Sequence, residues 1–134
     1  MAALTSKMKE AMMKVELFPF ATASSAGLPN VVPIKFLYVA TDDTLWITDN
    51  YLNKTLANLR ENPRASVYVW SSDTQECFQV KGTIEIKTGG DDYEKMKTMV
   101  RAKMPDLPAR ALVVVHITAI FDCMPGVSAG RQLG

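Results

Sequence analysis

Three segments of the chain repeat their apolar residues at helical spacing. In residues 5–16, Met8 and Met12 recur at this spacing, and Thr5 or Ser6 is a suitable N-cap. Methionines can also form an adaptable ligand surface, but a stripe facing the core is the simpler interpretation. The pattern therefore predicts a first amphipathic helix at the start of the chain.

The second and third helices are marked by their ends as well as by their period. Residues 53–61 form a short helical segment that stops at Asn62-Pro63, because a residue before proline avoids the helical region. Asp91 or Asp92 is expected to cap the third helix. Its apolar face is predicted to consist of Tyr93, Met96, Met99 and Val100.

Between the helices, β-branched and aromatic residues form runs that alternate or stay apolar, which is typical of strands. Six strands are predicted, over residues 18–25, 30–40, 45–48, 65–70, 76–87 and 110–121. Pro33 cannot donate a backbone hydrogen bond, so it should lie at an edge, a bulge or a strand break. Gly82 should mark a bulge or a close backbone contact. Leu112–Val115 lacks alternation, which predicts burial on both faces.

These elements predict a mainly β (α+β) fold in one domain, residues 1–134. Six strands and about three short peripheral helices fit a small antiparallel barrel, which closes its sheet to remove exposed edges. The length is sufficient for a real hydrophobic core.

Composition excludes several classes of function. Net charge is +1 with 22% charged residues, and the basic residues are scattered, so neither nucleic acid nor an acidic membrane is an expected partner. No apolar run approaches the roughly 20 residues of a membrane span, and the N-terminal residues lack the apolar core of a signal peptide. Cys77 and Cys123 are too few for a disulfide scaffold, and we interpret both as small buried hydrophobes. The expected location is a reducing cytoplasm.

Lys54 and Thr55 carry the most informative chemistry. They follow a strand and open a helix, so a lysine, a hydroxyl and unpaired helix N–H groups meet at one point. A phosphate would be attracted by all three. The same two residue types are also ordinary at a solvated first turn, and alone they do not separate the two interpretations.

Four stretches give these residues a context. They are residues 20–33, Lys54-Thr55 with 58–65, residues 78–83 and residues 121–126. In their order and spacing the chain resembles the pyridoxamine-phosphate-oxidase-like family of FMN-binding split barrels. The resemblance implies a split β-barrel and an FMN cofactor. It also implies a homodimer with flavin at the subunit interface and the loop 104–108 near the partner's flavin.

The resemblance also implies a set of cofactor-binding residues. Lys54 and Thr55 match the positions that hold the FMN phosphate in similar proteins, and the side chain of Asn53 is a candidate to assist them. The strand beside the flavin ring corresponds to Val32, Pro33, Ile34 and Lys35, and the segment along the ring and ribityl chain to Ile47, Thr48 and Asp49. Pro33 is equally explained as an edge-strand proline, Lys35 as a solvated lysine and Asp49-Asn50 as an ordinary turn.

Other chemically conspicuous residues have simpler explanations. Arg64 is expected on the surface, and the lone His116 is expected to be a hydrogen-bonded structural residue. The aromatic strand residues Trp46, Tyr68 and Trp70 are expected in core or dimer contacts. No metal site and no catalytic residue can be named from the sequence.

The function that follows from the resemblance is an FMN-binding redox protein, with oxidoreductase as the expected activity on a small molecule or electron donor. The alternative is a non-catalytic FMN carrier, electron-transfer protein or sensor, because no residue is an obvious general acid or base. A small-barrel nucleic-acid binder is a third possibility, which the balanced charge disfavours. The further Arg and His residues of pyridoxamine phosphate oxidases proper are not found here.

Overall fold

The computed structural model describes residues 2–134, which form one curled antiparallel sheet and three helices. The helices are α1 (Ser6–Met13), α2 (Lys54–Glu61) and α3 (Asp91–Lys103). The strands are β1 (Phe18–Ala23), β2 (Pro29–Ile34), β3 (Leu37–Thr41), β4 (Thr44–Asp49), β5 (Arg64–Ser71), β6 (Glu76–Lys87) and β7 (Ala111–Asp122). The mainly β class with three helices is confirmed. The prediction of six strands is wrong, because the described chain has seven.

The additional strand comes from residues 30–40, which were predicted as one strand. They form β2 and β3, separated by Lys35-Phe36. The strands lie in the order β2-β1-β5-β6-β7-β4-β3, so β2 and β3 occupy opposite edges of the sheet. The sheet is therefore a half-barrel with two edges. The expectation that the sheet closes into a barrel is wrong. Pro33 lies in the edge strand β2, one of the predicted places for it.

The core fills the concave side of the sheet. Its fully buried members include Phe20, Leu45 and Phe78. Strand β7 is buried on both faces, as predicted: Val113 and Val115 join this core, while Leu112 and Val114 pack with α3 on the other side. Helix α3 is thus the cover for the second face of β7.

Gly82 is a bulge and a close contact at once. The register between β6 and β7 shifts between Lys81 and Gly82. A Cβ at Gly82 would lie 2.6 Å from the carbonyl oxygen of His116 and 2.7 Å from a methyl carbon of Val115. Only glycine lets the two strands approach this closely, which confirms the interpretation of this residue.

Of the three helix ends predicted from the sequence, two are confirmed by the structure. The Thr5 hydroxyl accepts a hydrogen bond from the Met8 N–H at 3.2 Å and caps α1, and α2 ends before Asn62-Pro63. The predicted cap of α3 is wrong, because Gly90 occupies the N-cap position and no side chain caps this helix. Within residues 2–134, no helix has the length and apolarity needed to cross a membrane.

Candidate functional site

A cavity of about 560 Å³ lies between β2, the turn from β4 to α2 and the loop after α3. Eight of the ten residues predicted to bind a cofactor line it, namely Val32, Pro33, Ile34, Lys35, Thr48, Asn53, Lys54 and Thr55. The 19 residues 35–53 separate β2 from α2 in the sequence, yet residues of both elements face one space. Its volume is within the usual range for small-molecule sites.

Ile47 and Asp49 were predicted at this site but do not line the cavity. Ile47 is fully buried in the main core, because alternation along β4 turns its side chain inward, away from the neighbouring Thr48. Asp49 is only 1% exposed and lies beneath the turn. Its carboxylate accepts a hydrogen bond from the Leu52 N–H at 2.9 Å, so it supports the turn from behind.

The start of α2 forms one end of the cavity. Lys54 is the first residue of the helix and is exposed, whereas Thr55 is 1% exposed. The N-cap residue, Asn53, makes no side-chain hydrogen bond to the helix. The first N–H groups of a helix have no partner within it and carry partial positive charge. This end of the cavity is therefore suited to an anion.

A polar network holds Thr55 in place, and sequence reasoning missed it. The Asn30 side-chain N–H₂ donates to the hydroxyls of Thr55 at 3.0 Å and Thr22 at 3.2 Å. Asn58 also donates to Thr22, at 3.1 Å. Thr22 and Asn30 occupy inward positions that apolar residues fill elsewhere on β1 and β2, so the interrupted alternation was an available signal.

Thr48 brings an unsatisfied group to the cavity wall. The residue is 5% exposed, and its hydroxyl oxygen is buried with no hydrogen-bond partner in the described chain. Buried polar groups are normally paired, because leaving one unpaired costs about 1–3 kcal/mol. A ligand in the cavity would offer a partner for this hydroxyl.

Arg110 is the second feature that the sequence did not reveal. Its guanidinium donates to the Asp49 carboxylate at 2.9 Å and to the Leu52 carbonyl at 2.7 Å. The Asn50 side chain accepts a hydrogen bond from the Ala109 N–H at 3.0 Å. These contacts join the turn before α2 to the segment before β7. No local sequence pattern announces a contact over about 60 residues of chain.

The loop after α3 supplies Met104 and Leu107 to the cavity of its own chain. Its expected position near a partner's flavin stays a prediction. Arg64 is exposed and lines a different depression. His116 contacts the Glu85 carboxylate at 3.2 Å on the surface, which confirms the expected hydrogen-bonded role.

The three aromatic residues separate into two groups. Trp46 packs against the cluster beneath α3, as a core residue does. Tyr68 and Trp70 are 38% and 43% exposed on β5. The Tyr68 hydroxyl lies 3.3 Å from the Cys77 sulfur, and this hydrogen bond, with burial, raises the pKa of Tyr68 to about 12. Tyr68 is therefore neutral at ordinary pH.

The fold and the cavity define a class of protein: an antiparallel β half-barrel that places a helix N-terminus, with its lysine, beside an apolar cavity. The chain belongs to the pyridoxamine 5'-phosphate oxidase family, whose family model matches residues 4–124.

Individual relatives agree with this assignment. Uncharacterized protein MJ0282 of Methanocaldococcus jannaschii is 34% identical over 136 residues, covering 95% of this chain and 88% of that protein. The crystal structure of Group A Streptococcus HupZ is similar with a TM-score of 0.82 and 27% identity, over 95% of this chain and 99% of that one. An FMN-binding protein of Syntrophomonas wolfei shares the fold, with a TM-score of 0.69 and 18% identity over 86% of this chain and 82% of that one.

Proposed function

We propose that this protein binds FMN in the cavity between β2 and α2 and acts as a flavin-dependent redox protein, with oxidoreductase as its activity. The observation that carries the proposal is the anion-attracting start of α2, with Lys54 and Thr55, at one end of this cavity. Membership of the family and the fold shared with the Syntrophomonas wolfei FMN-binding protein support it.

The cavity fits the two chemically different ends of FMN. Lys54, the helix N–H groups and the Thr55 hydroxyl would hold the phosphate. The buried, unpaired hydroxyl of Thr48 would form a hydrogen bond with the ligand. The side chains of Val32 and Ile34, one half-buried and one buried, would cover the ring and exclude water from it.

Bound FMN supplies hydride or electron transfer. The contribution of this chain is to bind it, orient it and set its electrostatic surroundings. Lys35 lines the cavity and is exposed, so its ammonium group would place positive charge beside the ring and favour the reduced, negatively charged cofactor.

A non-catalytic FMN carrier is the second candidate, and one observation favours it. Among the residues that line the cavity in the described chain there is no Asp, Glu, His or Cys. The carboxyl, imidazole and thiol groups often employed as general acid or base are therefore missing from its walls, and its two lysines are assigned to the phosphate and the ring. Tyr51 is the phenol available there, and it is 76% exposed.

The experiment is a titration of the apo-protein with FMN and, separately, with riboflavin, followed by fluorescence or calorimetry. FMN should bind at least tenfold more tightly, because riboflavin lacks the phosphate that Lys54 would hold. Equal affinities would place the phosphate anchor elsewhere, and no binding of either compound would refute the proposal.

Turnover distinguishes the two candidate functions. The FMN-loaded protein is mixed with a nicotinamide donor and an electron acceptor, and donor oxidation is followed over many equivalents of protein. Sustained turnover supports the oxidoreductase. A flavin that can be reduced chemically but does not turn over favours the carrier.

A further inference from the structure

A second cavity, of about 550 Å³, lies between α1, the edge strand β3 and the end of α3. A smaller depression of about 300 Å³ shares several of its walls. The second cavity shares only Lys35 with the cavity proposed for FMN. We propose that it binds an organic acid: a carboxylate attached to an apolar body.

The carboxylate would be bound by lysines. Lys9, Lys35 and Lys103 all line the second cavity. Lys9 already pairs with Asp42 at 2.6 Å, but within residues 2–134 neither Lys35 nor Lys103 forms an ion pair. Lys103, and Lys35 in the FMN-free protein, thus face the cavity with no carboxylate of the described chain within ion-pair distance. Glu16 does not line the second cavity, but it lines the smaller depression together with Lys35 and Lys103.

Tyr38 adds a neutral donor to these charges. Its hydroxyl oxygen is buried and has no hydrogen-bond partner in the described chain. Burial raises the pKa of Tyr38, which keeps the phenol protonated. The Lys103 ammonium lies 5.7 Å from the centre of the same ring. A carboxylate placed between them would accept from both a phenol and an ammonium group.

The apolar body would lie against methionines. Met12 is buried, Met99 is half-buried and Met13 is 86% exposed, and all three line the second cavity. Leu37 of β3 completes this wall. Methionine is flexible and polarizable, so such a wall adapts to apolar groups of different shapes. The lysines and the phenol together with this apolar wall favour a molecule that has both an acid group and an apolar part. Phosphate lacks the apolar part, and a neutral hydrocarbon lacks the acid group.

The test uses octanoate, with octanol as the uncharged partner of the same chain length. The full protein, carrying ¹³C-methyl methionine, is titrated with each compound in the presence and absence of FMN, and the methyl resonances are followed by NMR. Octanoate should shift Met12, Met13 and Met99 in a saturable way, at least about fivefold more tightly than octanol. Movement of Met104, which lines the FMN cavity, without these three would place the ligand in the wrong cavity and overturn the proposal.

Two variants test the polar contacts, and one controls for charge. Lys103→Gln should weaken the affinity for octanoate roughly three- to tenfold, since the ion pair between Lys103 and the carboxylate is partly solvated. Tyr38→Phe should weaken the same affinity roughly fivefold, because one hydrogen bond is lost. Lys95→Gln removes a charge from the same helix at a position outside the second cavity and should leave the affinity unchanged. Equal affinity for octanoate and octanol, or unchanged affinity in both test variants, would refute the site. The readout does not depend on FMN, so its failure is distinguishable from that of the proposed function.

Discussion

Lys54 is the residue on which the proposed phosphate site depends most directly. It is exposed at the first position of α2, so its replacement should not disturb the core. Lys54→Ala should weaken FMN binding by about ten- to a hundredfold, the loss expected for one charged hydrogen bond, and should leave riboflavin binding unchanged. Titration of the apo-protein with both compounds measures this. Lys95→Ala, outside the cavity, is the matched control; full FMN affinity in Lys54→Ala would contradict the anchor.

The ion pair between Asp49 and Arg110 holds the turn before α2, which lines the same site. The Asp49 carboxylate is 1% exposed and is bound by Arg110, which is half exposed. Arg110→Gln should lower the free energy of unfolding by about 1–3 kcal/mol, because a buried carboxylate loses its cation while water can reach only part of the gap. The same variant should also weaken FMN binding, since Arg110 holds the Leu52 carbonyl in the turn.

A double-mutant cycle separates this effect from simple damage to the fold. Asp49→Asn removes the charge that needs Arg110, so the double variant Asp49→Asn, Arg110→Gln should lose less stability than the two single variants added together. Denaturant unfolding of the four proteins gives the coupling. Strict additivity would mean that the two side chains do not interact.

Individual site residues were predictable to the extent that their signal is local. Lys54 and Thr55 stand out because a strand, a turn and a helix follow one another in the sequence. Arg110 does not, because its contact with Asp49 crosses about 60 residues and exists only once β4 and β7 are paired. Asp49 itself was assigned to the cavity, since a sequence does not reveal on which side of a turn a carboxylate lies.

The segment Lys35-Phe36 shows the corresponding limit for elements. Residues 30–40 are almost uninterruptedly apolar, and such a run does not reveal where the chain leaves one strand for another. The break becomes clear only from pairing, as β2 pairs with β1 and β3 with β4. The break between the two strands also shapes the candidate sites, because it places Lys35 on the walls of both cavities.

Strand β6 depends on Gly82 for its approach to β7. Gly82→Ala would force a Cβ to within 2.6 Å of a backbone oxygen, which cannot move as a side chain can. We expect a loss of about 1–3 kcal/mol in the free energy of unfolding. Gly89→Ala is the control, because nothing lies within 4 Å of its added Cβ. Chemical denaturation measures both. If Gly82→Ala were as stable as Gly89→Ala, the strands would not be as close as described.

At the scale of the whole molecule, strands β7 and β5 differ in how their outer faces are covered. The outer face of Leu112–Val115 is covered by α3, so it creates no demand for a partner. On β5, however, Tyr68 and Trp70 remain 38% and 43% exposed. Exposed aromatic residues are enriched at protein interfaces. Of these two strands, β5 is therefore the one that leaves large apolar side chains uncovered.

We accordingly propose a homodimer with flavin at the subunit interface, as the family resemblance implies, and predict that β5 takes part in it. Light scattering at micromolar concentration should give about twice the chain mass of 14.8 kDa. Trp70→Arg should shift the protein towards monomer, because it places a charge in the centre of an apolar contact. Val127→Arg is the control, since Val127 is fully exposed and distant in sequence from β5. A monomer mass for the FMN-loaded wild type would refute the dimer, and an unaffected dimer in Trp70→Arg would place the interface on another face.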